Sequence, residues 1–241
     1  MAKPKDKKQI DYRFQLMVAM SELSMKNNGS LYPWINDLNS DLLTSNISAD
    51  SQKSPRMKKF RFQLLHQWLT YTLQPCRLAD IGGGKGLLSH LLQEEGWQVT
   101  VIDPVQQELP PKYKNIQTGK RVLVDDRDDV AVIDSRFEEE MARDYDLLVG
   151  LHAHGCNIKI INGATKYGTG FLLIPCCVID EPVYPVLGVS WMECLANYAM
   201  LKGHVIYPIK LNFKGQNVGF YSLGTGARAK MHSKFYRHFS T

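Results

Sequence analysis

Three groups of residues in this sequence are of types that do chemistry. The first is Asp80-Ile81-Gly82-Gly83-Gly84-Lys85-Gly86, entered through the apolar pair Leu78-Ala79. The second is Asp103, the acid that closes the apolar run Val99-Thr100-Val101-Ile102 and precedes Pro104. The third is His152, His154 and Cys156 in the segment LHAHGC, with Cys176 and Cys177 in IPCC. Glycines accept backbone angles that a Cβ forbids, and they let the chain approach a ligand closely. A carboxylate placed like Asp103 can accept two hydrogen bonds from a ribose diol, in a nucleoside or in NAD alike. Imidazoles and thiols serve as bases, nucleophiles or soft-metal ligands.

The elements that must position these groups can be read from apolar periodicity. Residues 78–81 form a strand, the glycines a turn, and Leu87, Leu88, Leu91 and Leu92 one face of a helix that Gly96 ends. Residues 99–103 are a second strand. Strand, glycine turn, helix and strand make a right-handed parallel crossover, and ligands bind outside the carboxyl ends of such strands. Of the two runs 122–124 and 130–133, the second is taken as the third core strand. Residues 145–151 are the fourth strand and 170–174 the fifth, so LHAHGC and IPCC each follow a strand. Residues 157–164 read as a short helix or turn, 191–201 as a helix, and 205–208 and 218–223 as closing strands. Upstream, Ser54-Pro55 has the form of a helix start. Phe60, Leu64, Leu65, Trp68 and Leu69 then give that helix one apolar face, and Arg56, Lys58, Lys59 and Arg61 give it a basic one. The basic side is read as a solvated face in preference to an RNA-phosphate contact.

The glycine spacing separates the nucleotide alternatives. A dinucleotide fingerprint is G-x-G-x-x-G, whereas Gly82, Gly84 and Gly86 give G-x-G-x-G with Asp80 two residues before the first. D-x-G-x-G-x-G, followed after one helix and strand by an acid, resembles motif I of the class I S-adenosylmethionine (SAM)-dependent methyltransferases. The resemblance implies a Rossmann-like α/β fold, with a seven-stranded, mostly parallel sheet, helices on both faces and an N-terminal helical extension. It implies SAM as cofactor, with the backbone of Gly82, Gly83, Gly84 and Gly86 against its methionine part and Asp80 near its amino group. Asp103, with Pro104 beside it, would take the ribose hydroxyls. Asp134 would accept from the adenine amino group, with Ser135 or Arg136 beside it, and Leu151 would end the fourth strand at the cofactor. The residues alone leave Asp134 an alternative, capping a helix that starts near Phe137.

In the methyltransferase sheet the fourth and fifth strands are neighbours, so the resemblance implies that their carboxyl ends bring His152, His154, Cys156, Cys176 and Cys177 to the edge where a methyl acceptor would lie. Three readings of this group stay open. Cys176 or Cys177 is placed like the nucleophile of one class of RNA 5-methylcytosine enzymes. The group has zinc-ligand chemistry but no common structural zinc spacing, and no metal is assigned. The cysteines also suit packing as small apolar residues. LHA-x-G with PCC also resembles a narrower branch, related to the tRNA 2′-O-methyltransferases of the acceptor stem; His154 stands where that branch usually has cysteine. His152, first after the strand, is the favoured general base, and His154, Cys176 and Cys177 complete the catalytic candidates. No D/N-P-P-Y/F/W follows the fourth strand, which disfavours methylation of the adenine amino group.

The chain has 241 residues, 44% hydrophobic and 22% charged, ordinary for a globular α/β protein. An extension at 1–53, a methyltransferase domain at 54–224 and a basic tail at 225–241 are expected. No apolar run is long enough to span a bilayer, so no membrane is expected. The basic start has no apolar core of a secretory signal, and five cysteines, two adjacent, do not form a disulfide framework; a reducing cytoplasm is the expected compartment. A net charge of +5 and the basic tails fit a nucleic-acid partner without demanding one, and with the narrower resemblance they make RNA (tRNA or rRNA) the preferred substrate. The alternatives are a protein or small-molecule methyltransferase and a non-catalytic SAM- or RNA-binding subunit with a partner. An NAD oxidoreductase is least favoured.

Overall fold

A computed structural model describes residues 56–125, 129–182, 184–185, 189–226 and 229–232. The expected helix start at Ser54-Pro55, the extension at 1–53 and most of the basic tail lie outside the described residues.

The fold is α/β, with a seven-stranded, mostly parallel sheet as expected. In chain order the strands are β1 (Arg77–Ile81), β2 (Gln98–Ile102), β3 (Lys112–Lys114), β4 (Arg121–Leu123), β5 (Ala131–Ile133), β6 (Leu147–Leu151), β7 (Gly170–Ile174), β8 (Tyr207–Lys210) and β9 (Val218–Ser222). The helices are α1 (Arg61–Thr72), α2 (Leu87–Gln93), α3 (Asn157–Tyr167) and α4 (Trp191–Leu201). The sheet runs β5-β2-β1-β6-β7-β9-β8, and β3 pairs with β4 in a separate hairpin. All neighbours from β5 to β7 are parallel, and the β9-β8 pair is antiparallel. From β1 the chain builds outward through β2 and β5, then returns to the other side of β1 as β6. The strand order therefore reverses between β1 and β6, the position where open α/β sheets bind ligands.

Strand alternation sends successive side chains to opposite faces. Ala79, Ile81, Leu148, Phe171 and Leu173 pack with Ile160, Ile161 and Ala164 of α3 and Leu195 and Tyr198 of α4. Leu78, Leu147, Val149, Leu172 and Ile174 pack with Leu65, Trp68 and Leu69 of α1 and Leu88 and Leu92 of α2. Helices thus cover both faces.

The differences from sequence expectation have local causes. Regular helix begins only at Arg61, after a 3-10 turn at Lys58–Phe60. Arg56 is held extended beside Phe213: its N–H donates to Asn212 O, and its carbonyl accepts from Lys214 N. The rejected run 122–124 contributes β4 to the hairpin, which docks through Gln63 of α1. Gln63 Nε2 donates to Lys114 O, and its Oε1 accepts from Ile116 N. No α-helix starts near Phe137; that ring is buried, and a 3-10 helix begins two residues later, at Glu139–Asp144. Strand β8 begins two residues later than expected. Residues 230–232 are pinned to the end of α1, with Gln74 N donating to Lys230 O and His232 N to Thr72 O.

Candidate functional site

Gly82, Gly84 and Gly86 all have left-handed backbones, at φ of 68°, 57° and 72°. The turn therefore needs residues without a Cβ penalty. Gly82 N donates to Ile102 O, which ties the turn to β2, and α2 begins directly after Gly86. Gly83 needs its missing side chain for space: a Cβ there would stand 2.6 Å from the carboxyl carbon of Asp80. Asp80, 1% exposed, lies beneath the turn and accepts from Ser89 Oγ at 3.0 Å. Burial pushes its carboxyl up to about 7, with the Ser89 hydrogen bond opposing and the charge of Asp103 adding. Asp80 thus braces the turn from below.

Asp103, half-exposed at the carboxyl end of β2, accepts from Gly84 N at 3.0 Å and from Val105 N at 2.9 Å. Pro104 beside it is exposed. At the end of β5, Asp134 and Arg136 are exposed, and Ser135 Oγ is a buried atom without a hydrogen-bond partner among the described residues. Asp134 is not a helix cap: the next helical element is the 3-10 turn at Glu139–Asp144, and its N-cap is Glu138.

Leu151 is buried at the end of β6, and Ala153 lies against the glycine turn: a Cβ on Gly82 would come 3.1 Å from the Ala153 Cβ. The register Leu151↔Ile174 then brings the two candidate loops together. His154 Nε2 lies 3.1 Å from Cys176 Sγ and 3.4 Å from Cys177 Sγ, and the two sulfurs are 3.4 Å apart. Burial and the neighbouring Cys177 thiol push Cys176 up to about 11.

His152 and Cys156 do not join this group. His152, at φ 60°, turns its ring onto Phe213 and places Nε2 2.6 Å from Gln216 O. That nitrogen carries the proton it donates, leaving Nδ1 as the basic atom. Burial holds the His152 imidazole below its ordinary value against the Gln216 contact, and the charges of Lys58 and Arg61 act in the same direction as burial. Cys156 Sγ donates to His154 O. Burial and then Glu181 push its thiol up to about 11, while Lys159 and then Arg136 oppose and Asp103 adds. Because β5, β2, β1 and β6 are parallel neighbours, their carboxyl ends share one edge.

The sequence reading passed over Glu181, Asn157 and Ser89. Glu181 is buried, and its Oε1 accepts from Asn157 N at 2.8 Å and from Asn157 Nδ2 at 2.6 Å. A carboxylate here answers the free N–H groups at the start of α3 and ties the loop after β7 to the loop after β6. No sequence spacing announces it. Ser89 lies on the helix side that faces back toward Asp80, which periodicity could have suggested.

No family model matches the sequence, and no curated protein matches it. A crystal structure of monomeric WbdD matches over 67% of this chain and 38% of that one, at 14% identity and a TM-score of 0.35. Among the described residues, no helix is long and apolar enough to cross a membrane.

Proposed function

We propose that this chain is a SAM-dependent methyltransferase acting on RNA. The observation that carries the reading is the left-handed glycine turn at the reversal of strand order, with half-exposed Asp103 bonded to Gly84 N. The residues suit the cofactor. Side chains are missing where the turn would need them absent for a ligand to lie against its backbone. Each Asp103 oxygen accepts one backbone hydrogen bond, and a carboxylate has about four acceptor sites, so capacity remains for ribose hydroxyls. Among the described residues Ser135 Oγ has no hydrogen-bond partner, at the strand end where Asp134 would meet an adenine amino group.

SAM, when bound, supplies an electrophilic methyl group. The chain's own residues bind and orient: Asp103 holds the ribose, the glycine backbone lines the methionine part, and Asp80 keeps the turn in place. Ala153 links that turn to the loop carrying His154, so donor and acceptor sides share one rigid edge, and holding reactants in line is itself a large part of catalysis. Support for an RNA acceptor comes from the net charge of +5.

Calorimetric titration with SAM and S-adenosylhomocysteine tests the cofactor: micromolar binding is expected for the wild type and is lost in Asp103→Ala. Transfer of labelled methyl to RNA, with RNA affinity falling as salt rises, tests the acceptor. Absence of SAM binding by the wild-type chain sinks the whole reading. SAM binding without any salt-dependent RNA affinity sinks the RNA part.

A further inference from the structure

We propose that His154, Cys176 and Cys177 form a three-ligand site for a borderline-soft divalent cation, zinc in the first place. Their ligand atoms all lie within 4.8 Å of one another. In tetrahedral zinc sites, bonds of about 2.3 Å to sulfur and about 2.0–2.1 Å to nitrogen put two sulfurs roughly 3.8 Å apart, and a sulfur and a nitrogen roughly 3.5 Å apart. Here the sulfurs are 3.4 Å apart, and the nitrogen stands 3.1 and 3.4 Å from them. The three atoms already outline one face of such a tetrahedron, short of ideal by a few tenths of an ångström.

The scaffold holds that face from two sides. His154 follows β6, the cysteines follow β7, and these strands are paired to their ends at Leu151↔Ile174. Beyond the strands, Glu181 bonds the N–H and side-chain amide of Asn157. At Gly155 a Cβ would come within 2.8 Å of Asp180 Cβ, so the two loops are packed in contact. Imidazole and thiolate are the ligands that zinc prefers over hard cations. Two thiolates and a neutral imidazole balance the charge of a divalent ion, and uptake releases the two thiol protons.

Among the described residues the group contains three ligands and no fourth. Three protein ligands with an open position is the pattern of catalytic rather than closed structural zinc. His154 is exposed, which leaves that position reachable by water or by the nucleophilic atom of a substrate. The ion site itself does not depend on the methyl-transfer reading; only its use on an acceptor does.

The test is anaerobic titration of the reduced, chelator-stripped full chain with Co²⁺, in the absence of SAM. The expected result is one cobalt per chain, with a thiolate-to-cobalt charge-transfer band and a tetrahedral ligand-field band, both removed by added Zn²⁺. Cys176→Ser, Cys177→Ser and His154→Gln should each weaken cobalt binding by more than about tenfold, with circular dichroism unchanged. Cys76→Ser and Cys156→Ser should titrate like the wild type. The proposal is overturned if the wild type takes up no stoichiometric cobalt, if the charge-transfer band survives in the Cys176→Ser/Cys177→Ser double variant, or if Cys156→Ser abolishes it. Because SAM is absent, failure here leaves the cofactor reading standing, and failure of SAM calorimetry leaves this site standing.

Discussion

The glycine turn and the His/Cys cluster occupy neighbouring strand ends, yet they are built in opposite ways. The turn is one continuous stretch, Asp80 to Gly86, whose shape comes from local backbone angles and from an acid directly beneath it. The cluster comes from two loops, its members 22 and 23 residues apart, and exists only because β6 pairs with β7 and Glu181 ties the loops beyond them. A locally encoded site should fail through its backbone. A tertiary site should fail through its ties.

The largest effect expected belongs to Asp80. Its carboxyl is raised from 3.8 to about 7, chiefly by burial. The folded protein therefore holds a proton that the unfolded chain gives up across that window. Stability from this group is full below pH 3.8, falls as pH rises toward about 7 and levels off above it, by up to roughly 4 kcal/mol. Urea unfolding across this window should show the wild type losing stability relative to Asp80→Asn; parallel curves would mean that the turn does not rest on a buried acid. Gly82→Val comes next, because it combines a left-handed φ with a collision at Ala153. A loss of about 3 kcal/mol is expected, together with SAM binding, and a variant that binds SAM like the wild type breaks the comparison on the local side. Glu181→Ala tests the tertiary side. It strips hydrogen bonds from Asn157, so about 2 kcal/mol of stability should go, and cobalt affinity should fall about tenfold while SAM affinity stays. Equal losses in both affinities would show that the two sites are one.

The same contrast explains what could be read in advance. The bounds of β7 and α4 match their expected residues because Gly170 and Ser190 punctuate them; Ser190 caps α4 with Glu193 in a reciprocal box. The pairing of the fourth and fifth strands, which the resemblance implied, brings His154 of LHAHGC to the cysteines of IPCC. The β3–β4 hairpin was not foreseen, since its strands are three residues each and owe their place to Gln63, a buried polar side chain that periodicity treats as surface. His152 was favoured because it comes first after the strand. Its left-handed backbone turns it instead toward Gln216, a contact with the β8–β9 loop that the spacing of LHAHGC does not encode.

The smallest expected effect sits at the opposite end of the same strands. Arg77 at the start of β1 makes a two-pronged pair with Asp146, just before β6: Nε to Oδ2 at 3.1 Å and Nη2 to Oδ1 at 2.9 Å. The guanidinium side chain is 48% exposed, so solvent screens the pair. Arg77→Gln should cost about 0.5 kcal/mol in urea unfolding. The pair lies where β1 meets β6, and the two sites lie at the far ends of these strands. If the register Leu78↔Leu147 is held by the buried apolar layers on both faces, SAM and cobalt affinities will both be unchanged in this variant. If the ion pair sets the register, both will fall together, because sliding β6 would move Ala153 off Gly82 and His154 off the cysteines at once. The variant therefore separates two accounts of what aligns the sites: packing along the whole strand pair, or a charged clasp at its start.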